Sequence, residues 1–281
     1  MVREITDGRN TSIKQTGRKS LVSQTGSFAI FLAICTSSLL FAQTKATTSP
    51  QRFAVSVPFV GCKSDGQVGP LDAPTGKNKV VLISANTAKQ LAYYKPERGP
   101  GVLAPLGWYC FGTYGSSGEN LFLTPRPIDT ANLFSTAWNG FTGAAIQITY
   151  EYGDTSGRFG VASIIARVFP AHRAFVQQVI AGDETVGIKP PNSYQYNPYP
   201  KDKLTYRSKE IVEYQTPAKT DGLGTDSRLH KNEHPISGAA ILVGTTPNLI
   251  QLSVRLPQDQ ADLTQVIIDQ VERDTAEAGS N

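Results

Sequence analysis

The segment His230-Lys-Asn-Glu-His234 has the residue types and the spacing of a zinc-peptidase motif, H-x-x-E-H. In such enzymes two histidines one helical turn apart bind Zn²⁺, and the glutamate, here Glu233, serves as the general base. The sequence does not favour the helix that this chemistry needs, because Pro235 follows the second histidine at once. We therefore expect a polar surface loop, keep a zinc peptidase as the alternative function, and predict no metal ion or other cofactor.

Other nucleophilic chemistry has little support in the sequence. No serine has the G-x-S-x-G spacing of a nucleophile elbow, and the chain has 3 histidines that could act as a base. One of them, His172, falls on the apolar stripe of a predicted helix, where packing explains its presence. The sequence therefore leans towards a non-enzymatic protein, with a hydrolase as the alternative.

Two cysteines, Cys62 and Cys110, remain once a predicted leader that contains Cys35 is set aside. An even pair in an exported chain favours one disulfide bond; two buried free thiols are the alternative. Closing a loop of about 49 residues would stabilise the fold by about 4 kcal/mol in the chain-entropy treatment. We expect the disulfide.

Such a bond would bring two glycine-rich segments together, 61–66 and 108–118, because it holds the two Cα atoms within about 4.4–6.8 Å. Both segments carry aromatic and polar side chains, the mixture that ligand sites use. The candidate binding residues are Asp65, Trp108, Tyr114, Ser116 and Ser117. The alternative is that the glycines only make tight turns and that Trp108 fills the core.

The N-terminal 42 residues have the pattern of a signal peptide. A basic lead is followed by an uncharged run, Phe28–Ala42, and then by small and polar residues. Fifteen helical residues span roughly 22 Å, less than the ~30 Å of a bilayer core, so a membrane anchor is not expected. We predict a signal peptide at 1–42, a polar spacer at 43–52 and a periplasmic or secreted protein with no membrane span after processing.

Removal of this leader also changes the charge balance. It holds five of the 27 Lys and Arg residues and two of the 23 Asp and Glu residues, which leaves 22 cationic residues against 21 anionic ones. A nearly neutral chain gives no electrostatic reason to bind nucleic acid. We therefore expect no nucleic-acid partner.

Hydrophobic periodicity predicts intermixed strands and helices after residue 53. Alternating apolar residues indicate strands near 53–59, 146–152, 204–215, 237–243 and 249–256, and apolar runs indicate others near 80–83, 108–114 and 121–123. The last two strands precede a striped helix, which makes a C-terminal ββα unit. The predicted class is α+β, with a mixed or antiparallel sheet and packed helices. We expect one domain over 53–275, with a subdivision near the proline-rich loop 188–203 as the alternative.

Three further helices are predicted from capping and stripe patterns. One covers 86–94 and must end before Pro96, and another runs from an N-cap at Asp129 to Trp138, with Gly140 in the left-handed C-terminal position. The third spans 158–181, and Pro170 within it predicts a kink or two abutting helices.

Four segments resemble a family of exported bacterial proteins that have no assigned activity. They are Val60–Gln67, Gly107–Gly115, Glu213–Pro217 and Leu252–Pro257. The resemblance implies export and one fold and carries no chemistry. We therefore expect an extracytoplasmic protein that binds a ligand, a cell-wall glycan or another envelope protein through the disulfide-tethered surface.

Overall fold

The structure, a computed structural model, describes residues 53–135, 138–185 and 194–278. These residues belong to one compact unit. The predicted signal peptide, the polar spacer and the part of the proline-rich loop at 186–193 lie outside the described residues.

Thirteen strands and four α-helices make up the described part of the chain. The strands are β1 (Phe53–Val57), β2 (Phe59–Cys62), β3 (Ser64–Gly66), β4 (Lys79–Ile83), β5 (Leu91–Pro96), β6 (Val102–Pro105), β7 (Tyr109–Gly115), β8 (Gly118–Thr124), β9 (Ala145–Glu151), β10 (Lys203–Tyr206), β11 (Ile211–Thr216), β12 (Ile236–Val243) and β13 (Asn248–Arg255). The helices are α1 (Ala85–Ala88), α2 (Arg158–Val168), α3 (Arg173–Thr185) and α4 (Leu263–Ala278).

The strands form one large sheet and two small ones. The large sheet has the order β10-β11-β12-β13-β9-β8-β7-β3, and every pair in it is antiparallel except β3 with β7. Strands β2, β5 and β6 form a three-stranded sheet, and β1 pairs with β4. Mixed sheets packed with helices confirm the predicted α+β class.

The two faces of the large sheet are covered differently. On one face, which we call the α4 face, α4 and the three-stranded sheet cover alternate residues such as Leu121, Ile148 and Leu252. On the other, the α2–α3 face, helices α2 and α3 pack over residues of β11 to β13 such as Val212 and Leu249. The part of this second face that lies on β7, β8 and β9 carries polar side chains. It forms the floor of a cleft.

The predicted break at Pro170 is confirmed. Helix α2 ends at Val168, a 3-10 turn spans Pro170–His172, and α3 begins at Arg173. Proline lacks the N–H that would continue the α2 hydrogen-bond pattern, so the chain starts a new helix here.

The predicted C-terminal ββα unit is also confirmed. Strands β12 and β13 form a hairpin, and α4 follows a 3-10 turn at Gln258–Gln260. Its stripe of Leu263, Ile267 and Val271 is buried against the α4 face. Among the described helices, none is both long enough and apolar enough to cross a membrane.

One predicted helix, at 86–94, is shorter than expected, and another, at 129–138, is wrong over its described residues. Helix α1 stops at Ala88, and the chain then enters strand β5. It does so because Tyr93 and Tyr94 pair with β2 on one side and with β6 on the other. In the segment predicted as a helix from Asp129 to Trp138, the described residues after Asp129 form turns and no helix. The left-handed conformation predicted for Gly140 is nevertheless present, with a φ of 89°.

Candidate functional site

The predicted disulfide bond between Cys62 and Cys110 is confirmed, with a Cα–Cα distance of 5.5 Å. Cys62 ends β2 of the three-stranded sheet, and Cys110 lies in β7 of the large sheet. The bond therefore links two sheets that share a core.

The structure does not gather the five candidate binding residues on one surface. The side chain of Trp108 is 9% exposed and packs in the main core, so this residue fills the interior. Tyr114 is also buried, on the α4 face opposite Glu119, and its hydroxyl donates to the main-chain oxygen of Gly69. These two aromatic residues serve packing because the alternation of the strand and its flanking turn points them inward.

The three polar candidates lie on or near the α2–α3 face. Asp65 is half-buried in β3 opposite Thr113, and one of its carboxylate oxygens accepts from the next backbone N–H at 2.7 Å. Ser116 is exposed, 3.3 Å from the hydroxyl of Ser156. Ser117 is exposed and lines the cleft on this face. Ser117 is therefore the one candidate that lies at the site described below.

The H-x-x-E-H segment is a loop, as expected from the proline that follows it. His230 and His234 do not share a helix face, since the residues between them are extended or bent. Glu233 forms an ion pair with Lys219 at 2.7 Å. Among the residues that the structure describes, no group of three or more His, Cys, Asp or Glu side chains is placed to hold a metal ion. The geometry on which a zinc peptidase would depend is absent from this segment.

A cleft of about 470 Å³, the polar cleft, opens on the part of the α2–α3 face that the helices leave uncovered. Strand register explains its floor, because Asn120 lies opposite Thr149 in β9, and Thr149 lies opposite Gln251 in β13. Thr113 of β7 extends the same row on the other side. Directly paired residues point to the same face of a sheet, so four polar side chains from four strands line up across the floor.

Hydrogen bonds fix the orientation of this floor. The Thr149 hydroxyl donates to Oδ1 of Asn120 at 2.7 Å, and Nε2 of Gln147 donates to both, at 2.9 and 3.2 Å. Nδ2 of Asn120 donates to the Thr113 hydroxyl at 3.3 Å, and the backbone N–H of Arg228 donates to Oε1 of Gln147 at 2.7 Å. Asn120 keeps a second N–H, and Thr113 keeps its hydroxyl hydrogen, so both can donate to a bound molecule.

Glu151 closes one end of the polar cleft, next to the first turn of α2. Its Oε2 is so close to Gly160 that an added Cβ there would lie 2.1 Å from it. This oxygen is excluded from solvent and has no hydrogen-bond partner among the described residues. Burial disfavours the charged form and raises the pKa of Glu151 to about 7. A carboxyl group that gains or loses its proton near neutral pH therefore faces the cleft.

Aromatic rings form the opposite end of the polar cleft. Trp138 meets Phe122 and Phe141 edge to face, with centroid distances of 6.0 and 5.2 Å. The guanidinium of Arg228 lies 5.6 Å from the Trp138 ring centroid, and Phe134 is 56% exposed at the rim. These rings offer flat apolar surfaces beside the polar floor.

A buried arginine holds the segment that carries this aromatic wall. Arg255 of β13 is 1% exposed, and its guanidinium donates to the main-chain oxygens of Gly143 and Phe141 at 2.8 Å each, and to that of His230. Burial lowers the pKa of Arg255 to about 10. Three carbonyl oxygens from two loops are thus tied to the sheet by one side chain.

A larger cleft of about 690 Å³ lies on the α4 face. Its polar lining includes Tyr93, Lys95, Glu119, Tyr150, Tyr152 and Asp274. The Tyr152 hydroxyl donates to Glu119, and Lys79 pairs with Asp274 at 2.9 Å. Each carboxyl group of this tyrosine cleft has at least one partner, although Oδ2 of Asp274 is buried without one. Because Glu151 has no partner at all among the described residues, the polar cleft is the stronger candidate site.

Sequence reasoning did not single out the floor of the polar cleft. The alternation of Ile146 and Ile148 indicates the strand, and it assigns no role to the residues Gln147, Thr149 and Glu151. The signal that the sequence did offer for a site is that two polar residues, Gln147 and Thr149, alternate along one strand with the acidic Glu151. Their grouping with residues of β7, β8 and β13 depends on strand order, which periodicity does not contain.

No family model, curated protein or solved structure matches the chain. The resemblance to exported bacterial proteins of unassigned activity therefore stays a prediction.

Proposed function

We propose that this protein is an extracytoplasmic, non-enzymatic binding protein whose polar cleft takes a saccharide of the kind found in cell-wall glycans. The observation that carries the proposal is the row of oriented polar side chains between an aromatic wall and a carboxyl group. The cleft volume of about 470 Å³ lies within the range of small-molecule sites.

The chemistry of the floor suits a polyhydroxylated ligand. Each sugar hydroxyl both donates and accepts a hydrogen bond, and amide and hydroxyl side chains such as those of Asn120 and Thr113 do the same. Because these groups are already oriented by their neighbours, little side-chain entropy is lost when the ligand binds. The exposed ring of Phe134 and the edge of the Trp138 cluster can pack against the C–H face of a sugar ring.

The location outside the cytoplasm is supported by the disulfide bond and by the predicted signal peptide. A disulfide with one buried cysteine, Cys62, persists in an oxidising compartment and is rare in a reducing one. An exported protein meets cell-wall glycans directly, which makes them the first saccharides to test.

The test is calorimetric titration of the purified protein with two β-1,4-linked disaccharides, cellobiose and N,N′-diacetylchitobiose. In the variant Thr149→Val the floor loses a hydroxyl at nearly constant size, and we expect binding to weaken roughly fivefold, about 1 kcal/mol. Trp138→Ala is expected to weaken it roughly tenfold or more through loss of the aromatic wall. Thr205→Val, on the exposed edge strand β10, is the matched control and should bind as the parent does.

Two results would overturn the proposal. One is the absence of binding, at millimolar concentration, to both of these disaccharides and to their fully deacetylated counterpart. The other is binding that Thr149→Val and Trp138→Ala leave unchanged while circular dichroism shows that both variants are folded, since the ligand would then lie elsewhere.

A further inference from the structure

We propose that the saccharide recognised by the polar cleft carries a free amino group, and that its ammonium pairs with the carboxylate of Glu151. This inference rests on the proposed function and names the chemical class within it. It predicts a preference for de-N-acetylated amino sugars over neutral ones.

The position of Glu151 gives the first argument. Its neighbours across the sheet are Gly118 in β8 and Leu249 in β13, and neither can donate a side-chain hydrogen bond to it. Gly160 brings the first turn of α2 against the same carboxyl group, which leaves the cleft as its open side. A donor to this carboxyl group must therefore come from the cleft, either from water or from a bound molecule.

The other charges around the polar cleft are already engaged. Asp226 accepts from the Tyr199 hydroxyl at 2.6 Å, and the Arg228 guanidinium faces the ring of Trp138. On α2, the guanidinium of Arg158 lies 4.4 Å from the ring centroid of Phe159 and donates to a main-chain oxygen. Glu119, the charged residue of β8, points to the opposite face of the sheet and binds Tyr152. Glu151 is thus the one lining carboxyl group without a partner among the described residues.

An ammonium satisfies this carboxyl group better than a hydroxyl does. Hydrogen bonds between ionised groups are roughly twice as strong as those between neutral groups, and the difference grows where water is excluded. Two carboxyl groups and one guanidinium line the polar cleft, so its charge also favours a cation once Glu151 is ionised.

Pairing changes the protonation of Glu151. Because the pKa of this carboxyl group is about 7, about nine-tenths of the molecules carry the proton at pH 6. An amine with a pKa near 7.7–8.0 is fully charged at that pH, as α-amino groups are. Binding then converts the acid and the ammonium into a carboxylate–ammonium pair, and the proton of Glu151 passes to the buffer.

The experiment compares three β-1,4-linked disaccharides that differ only at C2. Cellobiose has a hydroxyl there, N,N′-diacetylchitobiose has an acetamido group, and the fully deacetylated chitobiose has an ammonium. Titrations at pH 6 in two buffers of different ionisation enthalpy measure affinity and proton release together. The variants are Glu151→Gln, which keeps size and hydrogen bonding without charge, and Asp154→Asn, a matched control on an exposed carboxylate outside the cleft.

We expect the deacetylated disaccharide to bind about tenfold or more tightly than cellobiose, with release of about nine-tenths of a proton. Glu151→Gln should remove most of the preference and the proton release, whereas Asp154→Asn should keep both. Proton release by the parent protein is measured without any variant, so the test holds even if Glu151→Gln does not fold. Equal binding of all three disaccharides without proton release would overturn this inference and leave the saccharide site standing. Failure of all three to bind would overturn both proposals.

Discussion

Replacement of Glu151 by glutamine is expected to stabilise the protein at pH 8, although it removes the carboxyl group that we propose binds the ligand. Burial raises the pKa of Glu151 from its ordinary value of 4.5 to about 7. The native state therefore keeps a proton that the unfolded state releases between pH 4.5 and 7, so the free energy of unfolding falls as pH rises through this window. A shift of this size corresponds to about 3 kcal/mol at pH 8, which solvent screening of the partly exposed side chain reduces to roughly 1–3 kcal/mol.

Urea unfolding at pH 4.5 and at pH 8 measures this effect. The stability gain of Glu151→Gln over the parent should be small at pH 4.5 and should grow by roughly 1–3 kcal/mol at pH 8. Burial also raises the pKa of Glu272 to about 7, but this residue is present in both proteins, so the difference between them isolates Glu151. Asp154→Asn should show no such growth. If Glu151→Gln gains nothing at pH 8, the carboxyl group is not desolvated in the way that the cleft geometry implies.

Two further predictions concern stability. Replacing both Cys62 and Cys110 by serine should lower the free energy of unfolding by about 4 kcal/mol, because a closed loop with a sequence separation of 48 restricts the unfolded chain. A loss below about 1 kcal/mol in urea unfolding, or two alkylatable thiols in the native parent protein, would contradict this. Arg255→Met should cost about 3–5 kcal/mol, because three carbonyl oxygens lose their charged donor, and Arg255→Lys should recover less than half of that loss. Equal stability of the arginine and lysine forms would show that charge alone suffices.

The elements that could be predicted from the sequence are those whose signal is local. The hairpin of β12 and β13 and the stripe of α4 follow from alternation, a turn and helical periodicity within about 40 residues. The break at Pro170 follows from a missing N–H. The disulfide followed from an even cysteine pair in a chain expected to be exported.

The elements that were missed depend on tertiary partners. The segment around Tyr93 has a pattern compatible with a short helix, but pairing with β2 and β6 makes it a strand. Trp108 was a candidate binding residue because it lies in a glycine-rich segment, and the structure supports the stated alternative that it fills the core. The polar cleft exists because α2 and α3 cover only part of one sheet face, and no local pattern states how far a helix pair extends over a sheet.

The order of strands in the large sheet also has a consequence for the time at which the cleft can form. Strands β9 and β13 are neighbours in space, and a hydrogen bond beside them joins Gly153 to Asn248, 95 residues further along the chain. A contact this distant must overcome the entropy of closing a long loop, so it forms late in folding. The floor of the polar cleft crosses the boundary between β9 and β13, because Thr149 lies in β9 and its partner Gln251 lies in β13. A chain in which β13 is not yet in place therefore has an incomplete cleft floor, and the cleft is complete only once the final hairpin has formed.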